Sequence, residues 1–309
     1  MNELRPVTFE DIPGQEHAKM QLIEACQAAK MGKSLDHICI VGPRGLGKTS
    51  MAMVIANELG GKLIAKDASD VKSKADFVNI VLGMEPKDVL LIDEIHGLKR
   101  EVEESMYRIL DDKVVDVKLK NGEFITIPVP MLSIIGASTL PSEISEPLQT
   151  RFGLWIELEY YTPEQLATIA TNNANRSGYN LDEEAALELG KRARGTARIV
   201  NNLLSRVIDS CVLAGLTNID KDMVVAKMEM LQIDEYGLSI KDRKLLQAMF
   251  DSNEPMGIQA LAATIGEDVK NVQGNIEPFL MHMKIIKRTP KGRVLTEFGK
   301  EMLLCPQSL

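Results

Sequence analysis

Gly42-Pro43-Arg44-Gly45-Leu46-Gly47-Lys48-Thr49 is the stretch on which the fold turns. Its spacing is that of the G-x-x-x-x-G-K-[ST] phosphate loop, and its surroundings suit that reading. Upstream, positions 37–41 form a short apolar run with two isoleucines, which predicts a buried strand; downstream, positions 47–59 read as a helix. Glycines let the backbone turn its N–H groups onto phosphates at a helix N-terminus. Lys48 would reach the β and γ oxygens, Thr49 would offer its hydroxyl to Mg²⁺, and Ser50 completes the first turn. The expected ligand is therefore ATP with Mg²⁺.

Further along the chain, positions 89–92 are an apolar strand that ends in Asp93-Glu94, where an open α/β sheet places its ligands. Asp93 is expected to hold the magnesium through water, and Glu94 to polarise the attacking water as general base. His96 reads equally as a packing residue or as a participant. A further strand at 132–136 leads to Ala137-Ser138-Thr139, whose hydroxyls could bond the γ-phosphate or its attacking water. With a run at 63–65 and helical segments between, the first half predicts a parallel sheet covered on both faces.

Between positions 114 and 129 two extended runs flank Asn121-Gly122, a dipeptide suited to a tight hairpin turn. Beyond Tyr161 the pattern turns helical. Thr162 caps a helix with Pro163 at its first position and Gln165 closing a capping box. Helices are expected over 163–177, 182–193, 196–213 and 221–230. A third texture follows, with helices at 240–250, 258–265 and 269–283 and extended pieces at 285–288 and 293–295, which together suggest a winged helix-turn-helix. The expected domains are 1–160, an α/β P-loop domain with an inserted hairpin; 161–235, an all-α lid; and 236–309, a winged helix.

The net charge of −8 over 309 residues argues against coating of nucleic acid by bulk positive charge, yet Lys284, Lys287, Arg288, Lys291 and Arg293 form a local basic patch. Lys287, Arg288, Lys291 and Arg293 are the candidate DNA contacts, neutralising phosphates without reading sequence. Cys26, Cys39, Cys211 and Cys305 are scattered, without a metal-binding pair, and are read as reduced. No run reaches the roughly 18 apolar residues a bilayer requires, and positions 1–10 lack an apolar signal core, so a soluble, cytoplasmic protein without membrane contact is expected.

Taken together these motifs resemble the AAA+ ATPases, and within them the RuvB Holliday-junction branch-migration family. The likeness runs through Leu4-Arg5-Pro6, Gly14-Gln15-Glu16, Leu35-Asp36-His37, the phosphate loop, Asp93-Glu94-Ile95-His96, Ile135-Gly136-Ala137-Ser138-Thr139, Arg151-Phe152-Gly153 and Arg194-Gly195-Thr196-Ala197-Arg198. It extends to Glu277-Pro278-Phe279-Leu280 and Arg288-Thr289-Pro290-Lys291-Gly292-Arg293, which generic AAA+ proteins lack. The resemblance implies a homohexamer with nucleotide between neighbouring subunits. It also makes Thr139 the first sensor, Arg198 the second, and Arg151 the finger reaching the next subunit's site. The family's nucleotide pocket would fall on Arg5, Ile12, Pro13 and Tyr161, and RuvA-like and RuvC-like proteins are implied partners.

This sequence departs from the family at Arg44, Gly97, Gln149, Ile12-Pro13, Ala197 and Asn202, none of which removes a required catalytic group, and in the composition of the hairpin that in the family docks on RuvA. The expected function is ATP-driven translocation of duplex DNA that moves branch points in recombination and repair. The alternatives are a clamp-loader-like or helicase-loader-like switch acting on a protein partner, and a scaffold that binds nucleotide without hydrolysis.

Overall fold

The computed structural model describes residues 6–118, 122–252 and 254–304; Arg5, Asn121 and Cys305 lie outside the described residues. The chain forms two compact units that divide between Tyr161 and Thr162. The first unit is built on strands β1 (Ile38–Val41), β2 (Leu63–Asp67), β3 (Val89–Asp93), the hairpin β4 (Val114–Lys118) and β5 (Phe124–Pro128), then β6 (Ser133–Ser138) and β7 (Leu154–Glu157). Five of these make an all-parallel sheet in the order β2-β3-β6-β1-β7. Residues Ile38–Val41, Val89–Ile92 and Ser133–Ser138 are buried throughout, as expected when helices cover both faces of a parallel sheet.

Those helices are α1 (Glu16–Lys30), α2 (Lys48–Leu59), α3 (Lys74–Leu82), α4 (Arg100–Asp112) and the short α5 (Glu146–Gln149). One core cluster unites Phe77 and Val81 of α3, Met106 and Ile109 of α4 and Leu90 and Ile92 of β3. At Gly136 an added Cβ would stand 2.6 Å from Ile95 Cδ1 and 2.9 Å from Phe152 Cζ, so only glycine lets these side chains close over β6. The expected hairpin is present, Val114 pairing with Pro128 and Lys118 with Phe124. β7, a four-residue strand with only Ile156 fully buried, is not anticipated by the sequence reading.

The second unit begins with helices α6 (Pro163–Arg176), α7 (Glu183–Arg192), α8 (Ala197–Ala214) and α9 (Lys221–Met230), joined by the short parallel pair β8 (Asn180–Leu181) and β9 (Asn218–Ile219). Both bonds of the capping box at Thr162 and Gln165 are made. Then come α10 (Ile240–Ser252), α11 (Ile258–Ile265), α12 (Val269–Asn271), a π turn (Val272–Ile276), α13 (Glu277–His282), the antiparallel pair β10 (Ile286–Thr289) and β11 (Gly292–Leu295), and α14 (Glu297–Leu304).

The π turn interrupts a helix that the sequence reading draws as continuous. Pro278 explains the break: it has no N–H for the carbonyl four residues back and its ring crowds that carbonyl, so the turn before it widens. Among the described residues no helix is long and apolar enough to cross a membrane.

Candidate active site

Strand order decides the geometry of the site. β3, β6 and β1 are neighbours, and their register aligns Val41 with Ser138 and Ile92 with Gly136, so the segments after their C-terminal ends lie side by side. The phosphate loop leaves β1, Asp93-Glu94 closes β3, and Ser138-Thr139 closes β6. Three sequence motifs spread over about a hundred residues are thereby assembled at the C-terminal ends of the three central strands.

Gly42, Gly45 and Gly47 all have φ between 84° and 146°. At Gly42 an added Cβ would stand 2.8 Å from the Leu158 carbonyl oxygen, so the loop is closed to any side chain at that point. Gly47 is the N-cap of α2 and no side chain caps the helix there, which leaves its first N–H groups for an anion. Lys48 is buried, and its Nζ donates to the carbonyls of Gly42 (2.7 Å) and Pro43 (3.0 Å), folding the ammonium back over the loop. Leu46 is buried, Pro43, Thr49 and Ser50 are half-buried, and Arg44 is exposed. This cradle fits the triphosphate of ATP. The Thr49 hydroxyl and Asp93 carboxylate are the hard oxygen donors that Mg²⁺ prefers, few in number because phosphates supply the rest.

Glu94 sits in the left-handed region at φ 49°, a backbone conformation that non-glycine residues adopt mainly where surrounding structure enforces it. Its Oε2 accepts from the Thr139 hydroxyl (2.8 Å) and N–H (3.2 Å). Arg44 Nε lies 3.6 Å from Oε1, and His96 Nδ1 3.5 Å from Oε2. His96 Nδ1 also lies 2.9 Å from Ser138 Oγ, which accepts the Leu140 N–H. His96 is thus a half-buried ring in contact with Glu94 and Ser138. Asp93 Oδ1 accepts the Glu94 N–H at 3.1 Å.

Tyr161 is buried with its hydroxyl donating to the Leu46 carbonyl at 3.0 Å, and burial pushes its phenol up to about 12. The phenol therefore braces the phosphate loop from beneath. Ile12 is buried, Pro13 is half-buried, and the Ile12 carbonyl accepts from Lys19 Nζ at 3.0 Å. Arg151 is not gathered among these groups; its partners are Asp111 and the Pro147 carbonyl. In the second unit Arg198 is exposed in the first turn of α8.

The wing is less uniform than its sequence suggests. Glu277 is 2 % exposed and accepts from Arg288 Nε (2.6 Å) and from Arg293 Nε (2.7 Å) and Nη2 (3.2 Å). Burial opposes its ionisation, but the bonds and charges of the two arginines outweigh that and hold its carboxyl below the usual range. Arg293 is largely enclosed, whereas Lys287, Arg288 and Lys291 are exposed. Sequence reasoning counts Arg293 and Arg288 as free cations because a buried acid eleven to sixteen residues upstream leaves no local signal.

With this geometry in view, the comparisons with known proteins decide the family. The model of the Holliday junction DNA helicase RuvB P-loop domain matches residues 4–158, that of the RuvB AAA lid domain 161–234, and that of the RuvB C-terminal winged helix domain 235–304. The chain belongs to the RuvB family. It is 39% identical over 306 residues to the Holliday junction branch migration complex subunit RuvB of Ligilactobacillus salivarius, covering 97% of this chain and 91% of that protein. The corresponding RuvB subunit of Leuconostoc mesenteroides is 38% identical over 302 residues, covering 96% and 86%. Among solved structures, the Thermotoga maritima RuvB Holliday junction branch migration motor superposes with a TM-score of 0.86 at 35% identity, covering 97% of this chain and 98% of that one. The RuvB match spans the P-loop unit, lid and winged helix alike, so the α/β P-loop AAA+ fold with all-α lid and winged helix is shown.

Proposed function

We propose that this chain is an ATP-hydrolysing motor that translocates duplex DNA and drives branch migration of Holliday junctions, working in the cytoplasm as a homohexamer with RuvA-like and RuvC-like partners. The observation that carries the reading is the meeting of the loop at Lys48, the acids Asp93 and Glu94, and Thr139 at the ends of β1, β3 and β6 in a chain that matches RuvB from end to end. The clamp-loader-like and helicase-loader-like alternatives gain no support from the relatives reported above.

In this reading the amides of residues 42–49 and the Lys48 ammonium grip the triphosphate, and Glu94 takes the proton of the attacking water. Thr139 and Arg44 contact the Glu94 carboxylate and set its direction. Thr49 through its hydroxyl and Asp93 through water would hold Mg²⁺, which would supply charge neutralisation at the phosphate oxygens. Arg151 acts on the neighbouring subunit's nucleotide, where comparable fingers are worth about 10³–10⁵ in rate. Arg198 is the lid's sensor of the γ-phosphate. Arg5, Ile12, Pro13 and Tyr161 line the nucleotide pocket, and the lysines of the wing contact DNA phosphates.

Steady-state hydrolysis on a four-way junction tests the assignment. Lys48→Ala should lose ATP binding, Glu94→Gln should bind ATP without turnover, and Arg151→Ala should bind ATP yet lose hydrolysis by at least about 10³-fold. A monomeric protein with full turnover, or an Arg151→Ala variant with normal turnover, would refute the shared site.

A further inference from the structure

Arg151 follows α5 and lies against the last turns of α4. Its Nε donates to Asp111 Oδ2 at 2.9 Å and its Nη1 to the Pro147 carbonyl at 2.7 Å. The guanidinium carbon stands 4.3 Å from the centroid of the Tyr107 ring. Tyr107 is itself anchored, its hydroxyl donating to Glu103, which also accepts from the Ser145 hydroxyl. The arginine is therefore fixed by three contacts although 28% of its side chain remains exposed. A guanidinium carries five N–H groups. Among the described residues, these bonds engage two of them and leave the Nη2 edge unengaged.

We propose that Asp111 and Tyr107 are positioning residues for Arg151, setting the guanidinium plane so that its Nη2 edge meets the neighbouring subunit's γ-phosphate. The inference rests on the reading of Arg151 as a residue that acts in trans. An unsupported arginine must lose its rotamer freedom at the moment it engages, whereas one already stacked and bonded has lost it on folding. The ring takes one face and the carboxylate takes the Nε corner. With the Pro147 carbonyl on Nη1, these contacts leave Nη2 to donate to a phosphate oxygen. Asp111 is 45% exposed, so solvent screens the pair and it does not outcompete a multiply charged phosphate for the guanidinium.

The experiment is ATP turnover by the full chain on junction DNA, for Asp111→Ala, Asp111→Asn, Asp111→Glu and Tyr107→Leu. Asp111→Ala and Tyr107→Leu should lower kcat about 10-fold with KM for ATP unchanged, the cost of misplacing a group outside its own nucleotide site. Asp111→Asn should fall between, and Asp111→Glu should recover most of the loss. Each variant is then mixed, before ATP is added, with Glu94→Gln protomers, which keep Arg151 intact.

If the defect lies in a finger given to a neighbour, mixtures of Asp111→Ala with Glu94→Gln turn over faster than either alone. Arg151→Ala mixed with Glu94→Gln is the reference. Should the reference recover while Asp111→Ala and Tyr107→Leu alone keep the wild-type kcat, or lose activity without recovering on mixing, the positioning proposal is overturned and the trans reading stands. Should the reference fail to recover, the trans reading falls, and this proposal with it.

Discussion

Glu277 shows how a charge count misleads at the scale of single residues. The sequence offers four cations on the β10–β11 hairpin, and the structure sorts them by what each already touches: Arg293 closes over a buried carboxylate, while Lys287 and Lys291 face solvent. Arg293→Ala is accordingly expected to destabilise the wing by roughly 1–3 kcal/mol, because Glu277 loses two bonds without gaining water. Lys287→Ala and Lys291→Ala should instead leave unfolding unchanged and each reduce the salt slope of DNA binding by about 1. Thermal unfolding paired with DNA titrations at two or more salt concentrations separates the effects, and equal behaviour of all three variants would contradict the sorting. The phosphate loop and Asp93-Glu94 were legible because their chemistry is written in consecutive residues. The Arg44–Glu94 and Arg151–Asp111 pairs were not, since each joins residues at least forty positions apart through side-chain geometry that no local pattern encodes.

At the scale of elements, the helices and the central strands follow from periodicity and caps, and misses fall where tertiary context overrides them. β7 pairs with the edge that β1 offers, and its Trp155 and Ile156 are strand formers in a run too short for the sequence reading to single out. The widened turn at Val272–Ile276 forms because Pro278 forces it. α14 completes the winged helix with an eight-residue segment that carries only Gly299 and Met302 into the interior. The start of β1 carries a device that the sequence reading did not isolate. His37 Nδ1 accepts the Ile134 N–H at 2.9 Å, joining β1 to β6. Burial, with the Lys113 charge and against Asp36, lowers its pKa to about 4. A histidine whose folded pKa lies below its unfolded 6.5 takes up a proton on unfolding between those values. Its contribution is therefore complete above pH 6.5 and lost as pH falls toward 4, a total of about 3 kcal/mol. Unfolding free energies across that window should show less acid loss in His37→Asn, which can still accept the Ile134 N–H. An identical pH slope in both proteins would exclude the role.

At the scale of the whole molecule, the second unit joins lid to winged helix through an arginine four residues before Arg198. Arg194 reaches Asp242, which is fully buried, at 3.2 Å and lies 4.2 Å over the Phe279 ring, while Asp242 also accepts the Ser239 N–H and hydroxyl at 2.7 Å. An ion pair to a buried carboxylate and a stacking contact thus tie the lid to the winged helix within the second unit. The proposed function requires that hydrolysis move a DNA branch point. Its most direct measurement is branch migration of a synthetic four-way junction by the purified protein, with and without a RuvA-like partner, at saturating ATP. Strand exchange that requires ATP and disappears in Glu94→Gln is the predicted result. Tight ATP binding with neither turnover nor strand movement under either condition is the result that would contradict it.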